Sequence, residues 1–196
     1  MRDAETKAVA VGFKPASWQG SGHDNRVFAV RFIDENTLIS GGWDSVVHIW
    51  DIRQAKSARH FYGPNISGES LDYENGAILA GCYAAKKQLQ IWDIKNLQKR
   101  EEIDWTDGNV DEAEYIYTAS FSRRHPEYFG AGSTGPNSEV RLYREAGEET
   151  FAHKLAVRIQ GLHQGCFSLD FSSKLDQFAF STPHHGIYMY SCARAK

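Results

Sequence analysis

Apolar and polar residues alternate along most of this chain with a period of two, in short runs broken by polar turns. That period marks half-buried strands, because successive side chains of a strand point to opposite faces. One alternating run recurs four times and ends each time in an aromatic residue: residues 28–32 (Phe32), 70–73 (Tyr73), 117–121 (Phe121) and 167–171 (Phe171). A polar turn follows each, then a run of small and apolar residues at 37–41, 77–81, 128–132 and 177–181. A third run ends in another aromatic, at 46–50, 89–92, 140–143 and 187–190. From Trp50 to Trp92 to Tyr143 to Tyr190 the spacings are 42, 51 and 47 residues. No continuous stripe with a helical period of 3.6 appears; the segment near Asp111 to Tyr115 is the best helical candidate and is too short to persist alone.

Each unit needs a fourth strand, and residues 57–61, 99–103 and 154–159 supply it for the first three. The last unit has none of its own, while residues 7–11 form an orphan strand ahead of the first. A period in the forties with several strands per unit means propeller blades. The orphan filling the vacancy would remove two open sheet edges. The expectation is one all-β domain over 1–196, built of four four-stranded antiparallel blades. They fall at about 26–61, 68–103, 115–159 and 166–190, with strand 7–11 completing the last. Sixteen strands make a whole number of blades, as expected of a complete unit.

The first unit carries the most specific motif. Gly22 and His23 open it, Ser40, Gly41, Gly42, Trp43 and Asp44 follow, and it closes on Trp50 and Asp51. This resembles the WD40 repeat: the Gly-His pair, the turn Asp six residues before the Trp, and the Trp-Asp ending all stand at its spacing. The resemblance implies that His23, Ser40, Asp44 and Trp50 form a buried hydrogen-bonded tetrad. The second unit keeps Trp92 and Asp93 but has Gly63 and Pro64 near the place of Gly-His, and Lys86 and Lys87 in the turn instead of Asp. The third and fourth end in Tyr143 and Tyr190, and the fourth has His163 in its loop but no turn Asp. The tetrad is therefore carried over to the first unit only.

Members of the family usually close at seven blades, sometimes six or eight, so four leave a gap. A second copy closing a ring of eight, a C-terminal piece of a longer seven-bladed complex subunit, and a compact four-bladed monomer all stay open, the first favoured.

Composition narrows the function. A net charge of −3 argues against a general nucleic-acid binder, which needs a basic face to release counterions. Three widely spaced cysteines, Cys82, Cys166 and Cys192, give no disulfide framework and point to a reducing intracellular setting. The sequon at Asn65 to Ser67 would matter only in a secreted chain, residues 1–15 hold no signal-type apolar run, and no apolar stretch approaches membrane-spanning length. No cofactor motif is present.

Chemistry is weakly signalled. There is no GxSxG elbow, no phosphate-cradling Gly loop and no HExxH. His23, Ser40 and Asp44 imitate a catalytic triad only in composition, so no catalytic residue is assigned; a channel-site enzyme is the third-ranked reading. His163, His184 and His185 could hold zinc only if adjacent histidines converged on one ion, and no metal site is assigned. Binding is the better reading. The resemblance implies a rim of turns and loops where peptides dock, shared by Trp43, Asn25, Arg26, Asn65, Tyr83, Lys86, Lys87, Asn137 and His185. The acidic stretch from Glu101 to Glu114 reads first as a solvated loop joining the second and third units, and second as a dock for a basic peptide with Trp105 as its aromatic anchor.

Overall fold

The computed structural model describes residue 12 and residues 22–106, 114–147 and 152–192, so the expected strand 7–11 lies outside the described residues. Fifteen strands and no helix are found among them. Blade 1 comprises β1 (Val27–Phe32), β2 (Thr37–Gly42), β3 (Val46–Asp51) and β4 (Lys56–Tyr62). Blade 2 comprises β5 (Leu71–Glu74), β6 (Ala77–Gly81), β7 (Leu89–Asp93) and β8 (Lys99–Ile103). Blade 3 comprises β9 (Tyr115–Phe121), β10 (Tyr128–Thr134), β11 (Val140–Glu145) and β12 (His153–Ile159). Blade 4 shows β13 (Ser168–Phe171), β14 (Gln177–Ser181) and β15 (Ile187–Ser191). Within every sheet the strands pair in chain order and antiparallel.

Local chemistry sets the hairpins. Asn75 and Gly76 join β5 to β6 with φ of 46° and 81°, a two-residue turn whose twist matches the strands it links. In the outer hairpin of the first three blades the register slips at one equivalent place, between Ile49 and Trp50, Ile91 and Trp92, and Leu142 and Tyr143. The slip falls at the signature aromatic each time and adds local twist to the outer strand.

The blades stack face to face, and the core lies between them. Ile39, Val47, Ile49 and Phe61 of blade 1 pack on Leu71, Ile78 and Trp92 of blade 2. Leu79, Leu89 and Ile91 of blade 2 meet Ile116, Phe121, Phe129 and Tyr143 of blade 3. Val140 and Leu142 meet Leu169, Phe171, Phe178 and Phe180 of blade 4. Each such side chain, fully buried, contributes roughly 1.5–3 kcal/mol. Because the inner blades are covered on both sides, their second and third strands are buried on both faces. That is why those runs read as small and apolar. At the end of the second strand the next blade comes closest: a Cβ on Gly41 would lie 2.8 Å from Ile66, one on Gly81 2.3 Å from Ile116, and one on Gly132 2.5 Å from Cys166.

A buried polar bolt joins three blades. The carboxylate of Asp72 accepts the Phe121 N–H at 2.8 Å and the Ser120 hydroxyl at 3.1 Å, and pairs with Arg123 at 2.6 Å and Arg31 at 3.8 Å. The two ends of the stack are different: Phe32 is 69% exposed on blade 1, and Ile187 is 81% exposed on β15, whose every residue is exposed.

Candidate functional site

The four motif residues of blade 1 form one proton-ordered chain of hydrogen bonds. The indole N–H of Trp50 donates to Ser40 Oγ at 2.7 Å. Ser40 Oγ lies 2.7 Å from His23 Nε2, and His23 Nδ1 lies 2.7 Å from Asp44 Oδ2. A carboxylate can only accept, so Nδ1 carries the ring proton and the Ser40 hydroxyl donates to Nε2. Asp44 also accepts the N–H groups of Asp24 and Val46, both at 3.2 Å. The loop before blade 1 is thereby tied to β2, β3 and the turn between them.

His48, which sequence reasoning missed, extends this cluster. Its ring meets His23 edge-on at 4.5 Å, and its Nδ1 bonds Ser57 Oγ at 2.8 Å. Burial, and then the neighbouring His23, push its pKa from 6.5 down to about 4. His23, Asp44 and His48 bring donor atoms within 4.8 Å of one another, a spacing that could suit a metal. Both nitrogens of His23 are committed to Asp44 and Ser40, however, and Ser40 is wedged between His23 and Trp50. The arrangement braces the blade.

The turn between β2 and β3 carries Trp43 outward, 42% exposed. Trp43 leans on Phe28 at 5.0 Å, and the Arg26 guanidinium sits 5.1 Å from its ring centroid. The Trp43 N–H donates to the Arg26 carbonyl at 3.0 Å. Asn65 bridges two blades: its Nδ2 donates to the Trp43 carbonyl and to Ser45 Oγ, both at 3.1 Å, and its own carbonyl accepts the Tyr83 N–H at 2.8 Å. Trp43, Tyr83, Asn25, Asn65 and Ser67 thus line an open depression of about 450 Å³. Its far wall is stiffened by Tyr83 stacked on Tyr115, ring centroids 3.8 Å apart; the hydrogen bond with Tyr83 holds the Tyr115 phenol above its usual pKa.

The other expected rim residues stand apart from this depression. Lys86 is exposed on the Tyr83 turn, while Lys87 pairs with Glu102. The Asn137 N–H donates to Glu114 at 2.7 Å in the blade 3 turn. His185 sits exposed in the β14–β15 turn at φ 61°, and its neighbour His184 meets His163 edge-on at 6.1 Å.

Trp105 requires a correction. It is not an exposed anchor but is 1% exposed, packed between blades 2 and 3 with the Arg141 guanidinium 4.4 Å over its ring. Its backbone N–H donates to the buried Gln88 side chain at 2.9 Å. The acidic stretch therefore presents no aromatic to a peptide there. Residues 107–113, the middle of that stretch, lie outside the described residues.

No family model matches the chain. Over 79 residues, 40% of the chain, it is 30% identical to the ribosome biogenesis protein WDR12 homolog of Aedes aegypti, covering 18% of it. Over 91 residues, 45% of the chain, it is 28% identical to Protein DSE1 of Kluyveromyces lactis, covering 15% of it. Over 94 residues, 47% of the chain, it is 26% identical to autophagy-related protein 16 of Arabidopsis thaliana, covering 18% of it. The matched stretches thus span less than a fifth of these curated relatives. Among solved structures, a chain of the mitotic checkpoint complex superposes with a TM-score of 0.71 at 15% identity, over 88% of this chain and 52% of that one. The computationally designed Ika4 protein superposes with a TM-score of 0.68 at 16% identity, over 89% of this chain and 96% of that one. The stacked antiparallel blades and these structural neighbours give the chain the fold of WD40-type β-propeller blades.

Proposed function

We propose that this chain is a non-catalytic scaffold that captures a protein or peptide segment at the rim around Trp43. The observation that carries the reading is an exposed indole on a rigid turn, beside a depression whose walls are cross-linked between two blades by Asn65. Aromatic anchors on pre-formed surfaces concentrate binding energy, because little side-chain freedom is lost on docking. The relatives are named for ribosome biogenesis and autophagy, settings in which a binding platform is an apt role. The three cysteines are free thiols, consistent with a reducing intracellular setting. The test is a synthetic peptide array read with wild type and Trp43→Ala. Peptides bound by the first and lost by the second support the rim, provided both proteins give the same circular dichroism. Peptides bound equally by both reject it.

A second element of this reading is ring closure by a second copy. The apolar ends of the stack, Phe32 on blade 1 and Ile187 and Met189 on blade 4, would cover one another in a two-fold ring of eight blades. Further blades of a longer seven-bladed subunit, with a role in assembling a multiprotein complex, could cover the same ends. Light scattering separates the two. A mass twice that of the chain, halved by Ile187→Asp with Met189→Lys, supports the second copy; a wild-type monomer at about 50 μM, far above typical dimer Kd values, rejects it.

A further inference from the structure

Resting on the rim reading above, we propose that the Arg26–Trp43 pair recognises a carboxylate, and that the partner is an acidic peptide with an apolar residue beside its Asp or Glu. Arg26 is held where a ligand would need it. Its backbone N–H donates to Asn25 Oδ1 at 2.8 Å, its carbonyl accepts the Trp43 N–H at 3.0 Å, and its guanidinium lies over the exposed indole. Stacking on an aromatic face orients the guanidinium, and Arg26 is exposed to solvent.

No carboxylate lies within ion-pair distance of Arg26 among the described residues. Arg53, Arg100, Arg123, Arg124 and Arg141 each have an Asp or Glu partner. The acids nearest in the chain do not neutralise it. Asp44 is occupied by His23 and two backbone N–H groups, and Asp24, exposed beside it, forms no ion pair among the described residues. On the Tyr83 turn, apart from the depression, Lys86 is a second exposed cation with no ion-pair partner among the described residues.

The depression itself is lined by Trp43 and Tyr83 together with Asn25, Asn65 and Ser67. An apolar side chain fits between the rings, and a carboxylate one residue away reaches the guanidinium in the bidentate geometry that arginine favours. A basic peptide would instead bring its charge against the Arg26 guanidinium.

The experiment uses the full chain and an array of synthetic peptides in matched sets, each apolar frame carrying Glu, Gln or Lys at one position. Wild type should bind Glu members about ten-fold more tightly than their Gln counterparts, the range of one charge-assisted pair. Arg26→Gln should collapse that ratio to about one, and Arg26→Glu should turn the preference towards Lys. Arg144→Gln, which removes a ring-stacked arginine on blade 3, should leave the ratio intact. A Glu preference that survives Arg26→Gln, or a wild-type preference for Lys members, overturns the carboxylate assignment while leaving the rim reading intact if Trp43→Ala still abolishes binding. Binding indifferent to Trp43→Ala, or no binding to any member, overturns both. Displacement of bound peptide by a single-stranded oligonucleotide at the same sites also overturns the assignment, in favour of nucleic acid.

Discussion

Replacing Ser40 with Ala removes a single oxygen from the middle of the blade 1 network. Two hydrogen bonds go with it. The buried Trp50 indole N–H donates to that oxygen, and His23 Nε2 accepts from it. Breaking a bond of a buried donor costs about 1–3 kcal/mol, and the second, less deeply buried bond adds about 1 kcal/mol, so a loss of about 2–4 kcal/mol is expected. Urea unfolding followed by far-UV circular dichroism measures it, with an unchanged m-value showing that stability alone moved. A double-mutant cycle with Trp50→Phe sharpens the test. If the N–H to hydroxyl bond carries the cost, the two changes couple by about 1–2 kcal/mol, because either one alone already breaks the same bond. A Ser40→Ala loss below about 0.5 kcal/mol, or additivity within about 0.3 kcal/mol, refutes the reasoning, since a satisfied buried chain cannot lose its central member at no cost.

Acid should weaken the fold through His48. Its folded pKa of about 4 lies below the value of 6.5 that it takes when unfolded, so the folded chain holds fewer protons in that window. Stability therefore falls as the pH drops from about 6.5 to about 4, by up to about 2–3 kcal/mol, and His48→Leu should flatten that limb of a stability-versus-pH curve. Trp105 should behave as a core residue: Trp105→Ala should cost about 3–5 kcal/mol in urea titration, whereas Trp43→Ala should cost less than about 1 kcal/mol. Gly81→Ala should lower stability by about 1–3 kcal/mol, because the added methyl meets the Ile116 side chain at 2.3 Å; an unchanged unfolding midpoint would show that blades 2 and 3 pack more loosely than described.

Strand periodicity was legible because it is local. Runs such as 37–41 and 77–81 carry the small apolar residues that a doubly covered strand requires, whatever packs on them. The motif residues of blade 1 were legible through a repeat whose spacing leaves His23 and Asp44 in reach of Ser40. His48 was not, because it occupies an ordinary alternating position in β3, and nothing in that alternation says that a second imidazole lies 4.5 Å away. Trp105 was misplaced for a related reason: acids flank it in sequence, and only the docking of blade 3 onto blade 2 turns its ring inward under Arg141.

By itself, then, the amino-acid order determined the strands, their grouping into blades and the bonded cluster that braces the first. Tertiary structure decided which indole meets solvent, Trp43 and not Trp105, and which carboxylate becomes the bolt between blades, Asp72 with Arg123. It also set Arg26 over the Trp43 ring with no acid in ion-pair reach among the described residues. The physical reason is range: backbone pairing follows side-chain alternation over a few residues, whereas burial and charge pairing depend on a neighbouring blade that can lie about fifty residues away in the chain, as Asp72 does from Arg123.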